Sequence, residues 1–201
     1  MDLDVKQADF DALVPIAMRA YSGTILAAAR AYVLSPWLIA GVMWRESNAG
    51  LALKPKGPRG VGDIAPREPR LWPRIPAAAW SVDGKMPKPG GWGLGLMQVD
   101  WGLHYDWAST HDWGDPAVNI DYGAKLLRDA RSYFSASSFG PKDPRPLAGT
   151  ALDRATMAAY NAGLSRTYNA LTQLGDVDKA TTGQDYSAWT LDVLRTWGVK
   201  L

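Results

Sequence analysis

The stretch from residue 51 to residue 92 holds eight prolines and six glycines, so it cannot support long helices. We expect loops, short turns or a small β-hairpin there. An irregular segment of this length within a compact domain is usually either functional or disordered. Its three tryptophans, Trp72, Trp80 and Trp92, favour packing. We therefore predict an ordered flap, inserted between helical parts of the chain.

Helical periodicity precedes this flap. Residues 8–33 repeat apolar side chains at three- and four-residue steps, with Gly23 as the expected break between two helices. Ser35 and Pro36 then supply a cap and a first-turn proline. The helix that they start is apolar all round, which predicts burial at the centre of the domain, and Gly50 is its expected stop.

Helical patterning returns after the flap. Asp115-Pro116 begins a helix that runs to about Phe134. Further helices are expected near residues 151–161, 164–174 and 184–198. Short strand pairs are expected only inside 55–105. The predicted fold class is mainly α, with a small irregular or β-containing lobe.

The composition excludes several functional classes. With no cysteine and only two histidines, the chain offers neither a disulfide scaffold nor a His-rich zinc site. A net charge of +2 is too weak to indicate nucleic-acid binding. The apolar stretch 25–40 is broken by Arg30, Ser35 and Pro36, so no membrane span is expected. The acidic Met1–Asp4 does not fit a signal peptide, whose start is basic.

Glu46 is the leading candidate for chemistry. It is expected at the carboxyl end of the apolar helix, beside Val42 and Trp44. The negative helix terminus and the apolar surroundings both penalise the ionised carboxylate, so we expect a raised pKa. A general acid for glycosidic cleavage needs such a carboxyl. The alternative is a helix-end glutamate paired with Arg45 or another base.

Two further motifs strengthen the case for Glu46. In Gly93-Leu94-Gly95-Leu96-Met97-Gln98-Val99-Asp100 the glycines permit close backbone approach, and Gln98 places one amide in an apolar run, where it needs a partner. Ala158-Ala159-Tyr160-Asn161-Ala162-Gly163 sets a Tyr-Asn pair at a helix end. Alone, each motif is typical of an ordinary turn or helix end.

In this order, the three motifs resemble the lysozyme-like lytic transglycosylases, and more closely the goose-type lysozymes. Arg45–Gly50 resembles the catalytic-helix motif of that family, and Asp100 extends the Gly-Leu-Met-Gln motif. His104 follows four residues later, as in the family. Thr181–Tyr186 resembles its Thr-Thr-x-x-Asp-Tyr segment. The resemblance covers roughly residues 35–200, with gaps. It implies a single lysozyme-like domain over 1–201, with 1–34 as a packed helical extension and 51–92 as the inserted flap.

The chain departs from the family between Glu46 and Gly95, which lie farther apart than usual. The insertion obscures the second acidic position that goose-type enzymes carry there. Asp63 is the first candidate and Asp83 the second, although either is also compatible with a plain turn aspartate. The disulfides of vertebrate members are absent, which suggests a bacterial or phage relative.

The resemblance implies a muramidase that hydrolyses the β-1,4 bond between N-acetylmuramic acid and N-acetylglucosamine. Glu46 would protonate the leaving oxygen, and an inverting reaction would use water positioned by Asp100 with Asp63 or Asp83. The implied catalytic residues are Glu46, Asp100 and Asp63, and the implied sugar-binding residues are Gln98, His104, Tyr160, Asn161, Tyr186, Ser47 and Trp92. We expect no metal and no cofactor.

The expected partner is the glycan strand of peptidoglycan, bound by a monomer that acts on the cell wall after phage release or export by a route other than a signal peptide. Two alternatives remain open. A lytic transglycosylase would use Glu46 alone and would leave 1,6-anhydro ends. An inactive glycan-binding or structural module of a virion or secretion apparatus would keep the fold without the chemistry.

Overall fold

The computed structural model describes residues 4–65, 91–138, 140 and 143–201, with the main chain alone at 63–65, 91 and 92. The chain forms two compact units, which are Met1–Arg45 with Asp121–Leu201, and Glu46–Ile120. We call these unit 1 and unit 2.

Helices dominate the described residues, as the mainly α prediction requires. They are α1 (Gln7–Leu13), α2 (Ile16–Arg19), α3 (Ser22–Tyr32), α4 (Pro36–Ser47), α5 (Tyr105–Ala108), α6 (Pro116–Ser135), α7 (Gly149–Ala162), α8 (Leu164–Leu174) and α9 (Tyr186–Thr196), with two 3-10 turns at Val177–Ala180 and Thr182–Gln184. Among these residues, no helix is both long enough and apolar enough to cross a membrane. The division into a single domain with an extension at 1–34 stays a prediction.

The expected break at Gly23 is wrong, because Gly23 lies in the first turn of α3. The chain breaks instead at Val14, which is extended with a ψ of 154°, and again at Tyr21. Pro15 explains the first break, because a proline ring disfavours the helical conformation of the residue before it and the proline itself has no N–H to donate.

Helix α4 begins at the predicted proline and is buried as predicted. Five of its residues are in the core of the protein: Leu38, Ile39, Ala40, Val42 and Met43. Gly41 allows α9 to approach closely, since a Cβ at this position would lie 2.8 Å from Cγ2 of Thr190. A larger residue would push these two helices of unit 1 apart.

The amino end of α9 is held by one buried carboxylate. Asp178 accepts hydrogen bonds from the main-chain N–H groups of Ser187 (2.8 Å) and Ala188 (3.0 Å), from the Ser187 hydroxyl (2.7 Å) and from Arg154 (3.0 Å). Such bonds satisfy the amides that a helix start leaves without intrahelical partners. Burial alone would raise the pKa of Asp178, but these hydrogen bonds outweigh it and hold the pKa below its ordinary value of 3.8.

Unit 2 contains the short strand pairs that the sequence predicts. Three strands, β1 (Val61–Ala65), β2 (Gly91–Leu94) and β3 (Val99–Asp100), form an antiparallel sheet in that order. The predicted flap therefore contributes β1 and the start of β2. Residues 66–90 of the flap, with Trp72, Trp80 and Asp83, lie outside the described residues.

Candidate active site

Glu46 lies in the last turn of α4, where the sequence predicts it, and it is half-buried. Its carboxyl group therefore belongs to the negative end of a helix whose preceding turns are apolar. The chain passes from unit 1 to unit 2 between Arg45 and Glu46. Glu46 is therefore the first residue of unit 2, which also contains Gln98 and Asp100.

Ser47 anchors the helix end directly after Glu46. Its hydroxyl donates to the main-chain oxygen of Leu96 at 2.7 Å and accepts from the main-chain N–H of Gly50 at 3.0 Å. Ser47 is only 1% exposed. Ser47 was predicted to bind sugar, but these contacts show that its hydroxyl joins two parts of the main chain. It links the end of α4 to the loop that begins at Gly95.

A left-handed turn follows this anchor. Asn48, Ala49 and Gly50 all have positive φ angles, of 49°, 54° and 89°. Such a conformation is unfavourable for Ala49, because it carries a Cβ atom. Gly50 is required for space as well as for φ, since a Cβ there would lie 3.1 Å from Cα of Gly57 and from Cδ2 of Leu96. The turn reverses the chain within a few residues of Glu46.

The amide of Gln98 lies in a slot made by two glycines on neighbouring strands. A Cβ at Gly62 of β1 would be 1.7 Å from Oε1 of Gln98, and a Cβ at Gly93 of β2 would be 2.2 Å from the same atom. Nε2 of Gln98 donates to the main-chain oxygen of Gly95 at 2.7 Å, which supplies the partner that the sequence required. The φ of Gln98 is 50°, an uncommon conformation for a residue other than glycine. We call this arrangement the Gln98 slot.

Asn119 supports the same loop and was not predicted from the sequence. This fully buried side chain donates to the main-chain oxygen of Leu94 at 3.0 Å and accepts from the N–H of Met97 at 2.8 Å. Gly95 makes room for it, because a Cβ there would lie 2.6 Å from Nδ2 of Asn119. The available signal was an asparagine next to buried Ile120 on an amphipathic helix, where a polar group needs buried partners.

Asp100 and His104 lie one turn apart at the end of the sheet. Asp100 is half-buried, pairs with Gly93 in the strand register and accepts the N–H of Leu103 at 2.9 Å through Oδ1. Its main-chain oxygen accepts from the N–H of His104, which is half-buried and precedes α5. Asp100 therefore has the contacts of a turn aspartate in addition to any chemical role. The structure describes only the main chain of Asp63, the other predicted catalytic aspartate, and of Trp92, a predicted sugar-binding residue.

Three predicted sugar-binding residues belong to unit 1. Tyr160 and Asn161 are half-buried at the end of α7, and Oδ1 of Asn161 accepts from the N–H of Thr182 at 3.0 Å. Tyr186 is 2% exposed, with the guanidinium of Arg45 5.5 Å from its ring centre. The Tyr186 ring is thus packed in the protein and offers little surface to a ligand.

The described residues contain no group of three or more His, Cys, Asp or Glu side chains arranged to hold a metal ion. Comparison with protein-family models and with curated protein sequences finds no match. The functional assignment therefore depends on the motifs and on the geometry around Glu46 and Gln98.

Proposed function

We propose that this protein is a muramidase of the goose-type lysozyme kind, cleaving the β-1,4 bond between N-acetylmuramic acid and N-acetylglucosamine in peptidoglycan. The observation that carries the proposal is the half-buried Glu46, the single glutamate of the catalytic-helix motif, whose following residue is bonded to the loop of the Gln98 slot. A general acid and a sugar-binding amide need such mutual anchoring, because small displacements of catalytic groups reduce rates steeply.

In the proposed reaction, Glu46 donates its proton to the glycosidic oxygen as the bond to the anomeric carbon breaks. Positive charge develops on the sugar ring, and the ionised carboxylate that remains stabilises it. In the inverting form, a second carboxylate takes a proton from water, which attacks the opposite face of the ring. Asp100, with Asp63 or Asp83, is the proposed second group, and inversion requires a separation from Glu46 of roughly 6.5–9.5 Å.

The remaining motif residues would bind the sugars. Gln98 and His104, both in unit 2, carry polar groups that suit N-acetyl and hydroxyl substituents. For Tyr160 and Asn161, sugar binding is proposed from their motif alone. Trp92 would add a stacking face. The proposal includes action on the cell wall as a monomer, without a metal or organic cofactor.

One observation favours a second candidate, a lytic transglycosylase. Asp100 already accepts a turn hydrogen bond from Leu103, which reduces its capacity to orient water. A transglycosylase needs no such group, because the 6-hydroxyl of the muramic acid attacks its own anomeric carbon. Glu46 would donate the proton in that reaction also.

Clearance of a peptidoglycan suspension tests the proposal, with mass analysis of the released fragments. We expect wild type to lyse the suspension and Glu46→Gln to lose activity by about 100-fold or more, because proton donation is removed. Asp192→Asn is the matched control, since it neutralises an exposed carboxylate on α9. Products with reducing ends support hydrolysis, whereas 1,6-anhydro ends support the transglycosylase. Glycan binding without lysis at any pH from about 4 to 8 would identify an inactive binding module.

A further inference from the structure

The side chain of Arg45 is held in three ways by one short segment of unit 1. Its Nη2 donates to Oδ1 of Asp185 at 2.8 Å, and its guanidinium carbon lies 4.5 Å from the ring centre of Trp189 and 5.5 Å from that of Tyr186. A planar guanidinium suits this combination, because it can stack on aromatic rings while its edge donates to a carboxylate. We call these four residues the Arg45 clamp.

The side chain of Asp185 is not used to cap α9, so it can pair with Arg45. Asp185 is the residue before α9, yet its side chain makes no capping bond to that helix. Asp178 caps the helix instead, through the N–H groups of Ser187 and Ala188. Gly183 leaves space for the ion pair, because a Cβ there would lie 3.0 Å from Oδ1 of Asp185. The carboxylate of Asp185 is therefore directed at Arg45 and away from the helix start.

From these contacts we infer that Arg45 is a positioning residue, which fixes the end of the unit 1 part of α4 on residues 185–189 and thereby orients Glu46, the next residue of the same helix. This inference rests on the proposed function. It also gives the Thr181–Tyr186 motif a role other than sugar binding, since Tyr186 is buried beneath the guanidinium. With Ser47 anchored to Leu96, the residues on both sides of Glu46 are fixed by tertiary contacts.

The test compares Arg45→Ala, Arg45→Lys and Asp185→Asn with wild type in steady-state kinetics. Since misplacing a catalytic group by about 1 Å costs about 100-fold, we expect Arg45→Ala to lower kcat by about that factor with little change in KM. Arg45→Lys should recover only part of kcat, because an ammonium lacks the planar stacking face. The control is Arg195→Ala, which removes an exposed arginine of α9 paired with Asp192 and should leave kcat unchanged.

Two readouts separate positioning from other roles. The alkaline limb of the pH–rate profile should stay in place in the double variant Arg45→Ala/Asp185→Asn, because the two opposite charges of the ion pair are removed together and the local net charge does not change. If the alkaline limb shifted while the maximal rate stayed unchanged, Arg45 would act electrostatically and its positioning role would be overturned. Amide hydrogen exchange at residues 44–47 should accelerate in Arg45→Ala, independently of activity. An inactive wild type would contradict the proposed function, whereas unchanged exchange and unchanged kcat in a folded Arg45→Ala would overturn the clamp itself.

Discussion

The Ser47 hydroxyl lies 2.7 Å from the main-chain oxygen of Leu96, so the residue after Glu46 is tied to the loop that carries Gln98. The two residues are 49 positions apart in the chain. This one bond couples the helix end and the loop, which bear the proposed acid and the proposed sugar-binding amide. The same hydroxyl also accepts from Gly50, so it stabilises the left-handed turn.

Replacing Ser47 should therefore affect stability and activity together. In Ser47→Ala, the Leu96 oxygen loses its bond to the buried hydroxyl and the Gly50 N–H keeps only its bond to the main-chain oxygen of Ser47, which should lower the free energy of unfolding by about 1–3 kcal/mol. Urea denaturation measures the loss. The control is Ser135→Ala, an exposed serine at the end of α6 that bonds only locally to Ser132. Equal midpoints for the two variants would contradict the anchoring role.

Closing the Gln98 slot should impair activity through Gln98 alone. In Gly62→Ala the new methyl would collide with the Gln98 amide, whose atoms are its three nearest neighbours. We expect kcat/KM to fall by about tenfold, equivalent to roughly 1.4 kcal/mol. Gly140→Ala is the control, because a Cβ at Gly140 meets nothing within 4 Å.

A double variant makes this prediction sharper. Once Gln98→Ala has removed the amide, adding Gly62→Ala should cost little more, because the colliding atoms are gone. Additive losses in kcat/KM would show instead that Gly62 acts on the sheet independently of Gln98.

Asp178 should make unit 1 sensitive to acid. Its folded pKa lies below the ordinary value, so the stabilisation is present above about pH 3.8 and is lost as the pH falls through the folded pKa. In Asp178→Asn this acid dependence should be weaker. The protein should also be less stable at pH 7 by about 1–3 kcal/mol, because the new NH2 group cannot accept one of the hydrogen bonds at the start of α9, while Arg154 keeps its ion pair with Asp176. Denaturation from pH 7 down to about pH 2 measures both effects. Asp192→Asn, at an exposed ion pair, should change neither of them.

Asn119 should contribute as much to the free energy of unfolding as a buried apolar residue of the core, because it holds the loop that begins at Gly95. Asn119→Ala leaves the Leu94 oxygen and the Met97 N–H buried without this partner, so we expect a loss of about 3 kcal/mol in the free energy of unfolding. Thermal or urea denaturation checks this. Asn169→Ala, at an exposed position on α8, is the matched control and should change stability by less than about 0.5 kcal/mol. Similar losses in both variants would contradict the role assigned to Asn119.

Much of the secondary structure was predictable. The Ser-Pro start of α4, the Asp-Pro start of α6 and the bounds of α8 all follow from signals within a few residues. The predicted stop of α4 at Gly50 is wrong, because the helix ends at Ser47 and Asn48 is already left-handed. Gly23 was assigned a break that belongs to Pro15, because the loss of an N–H and the steric effect on Val14 outweigh a glycine in a first turn. The motif residues Glu46 and Gln98 were also named from the sequence alone.

The sequence by itself determined most of the helices, the region of the short strands and the identity of the candidate chemical groups, since capping, periodicity and backbone sterics act over a few residues. Only the tertiary structure decided which polar groups meet. The Arg45–Asp185 pair spans 140 residues, and the Asn119–Met97 bond spans 22. It also assigned Ser47 and Tyr186 to packed, buried positions. Such pairings depend on how helices and loops pack, because a buried polar group is stable only where a partner happens to be brought within hydrogen-bonding distance.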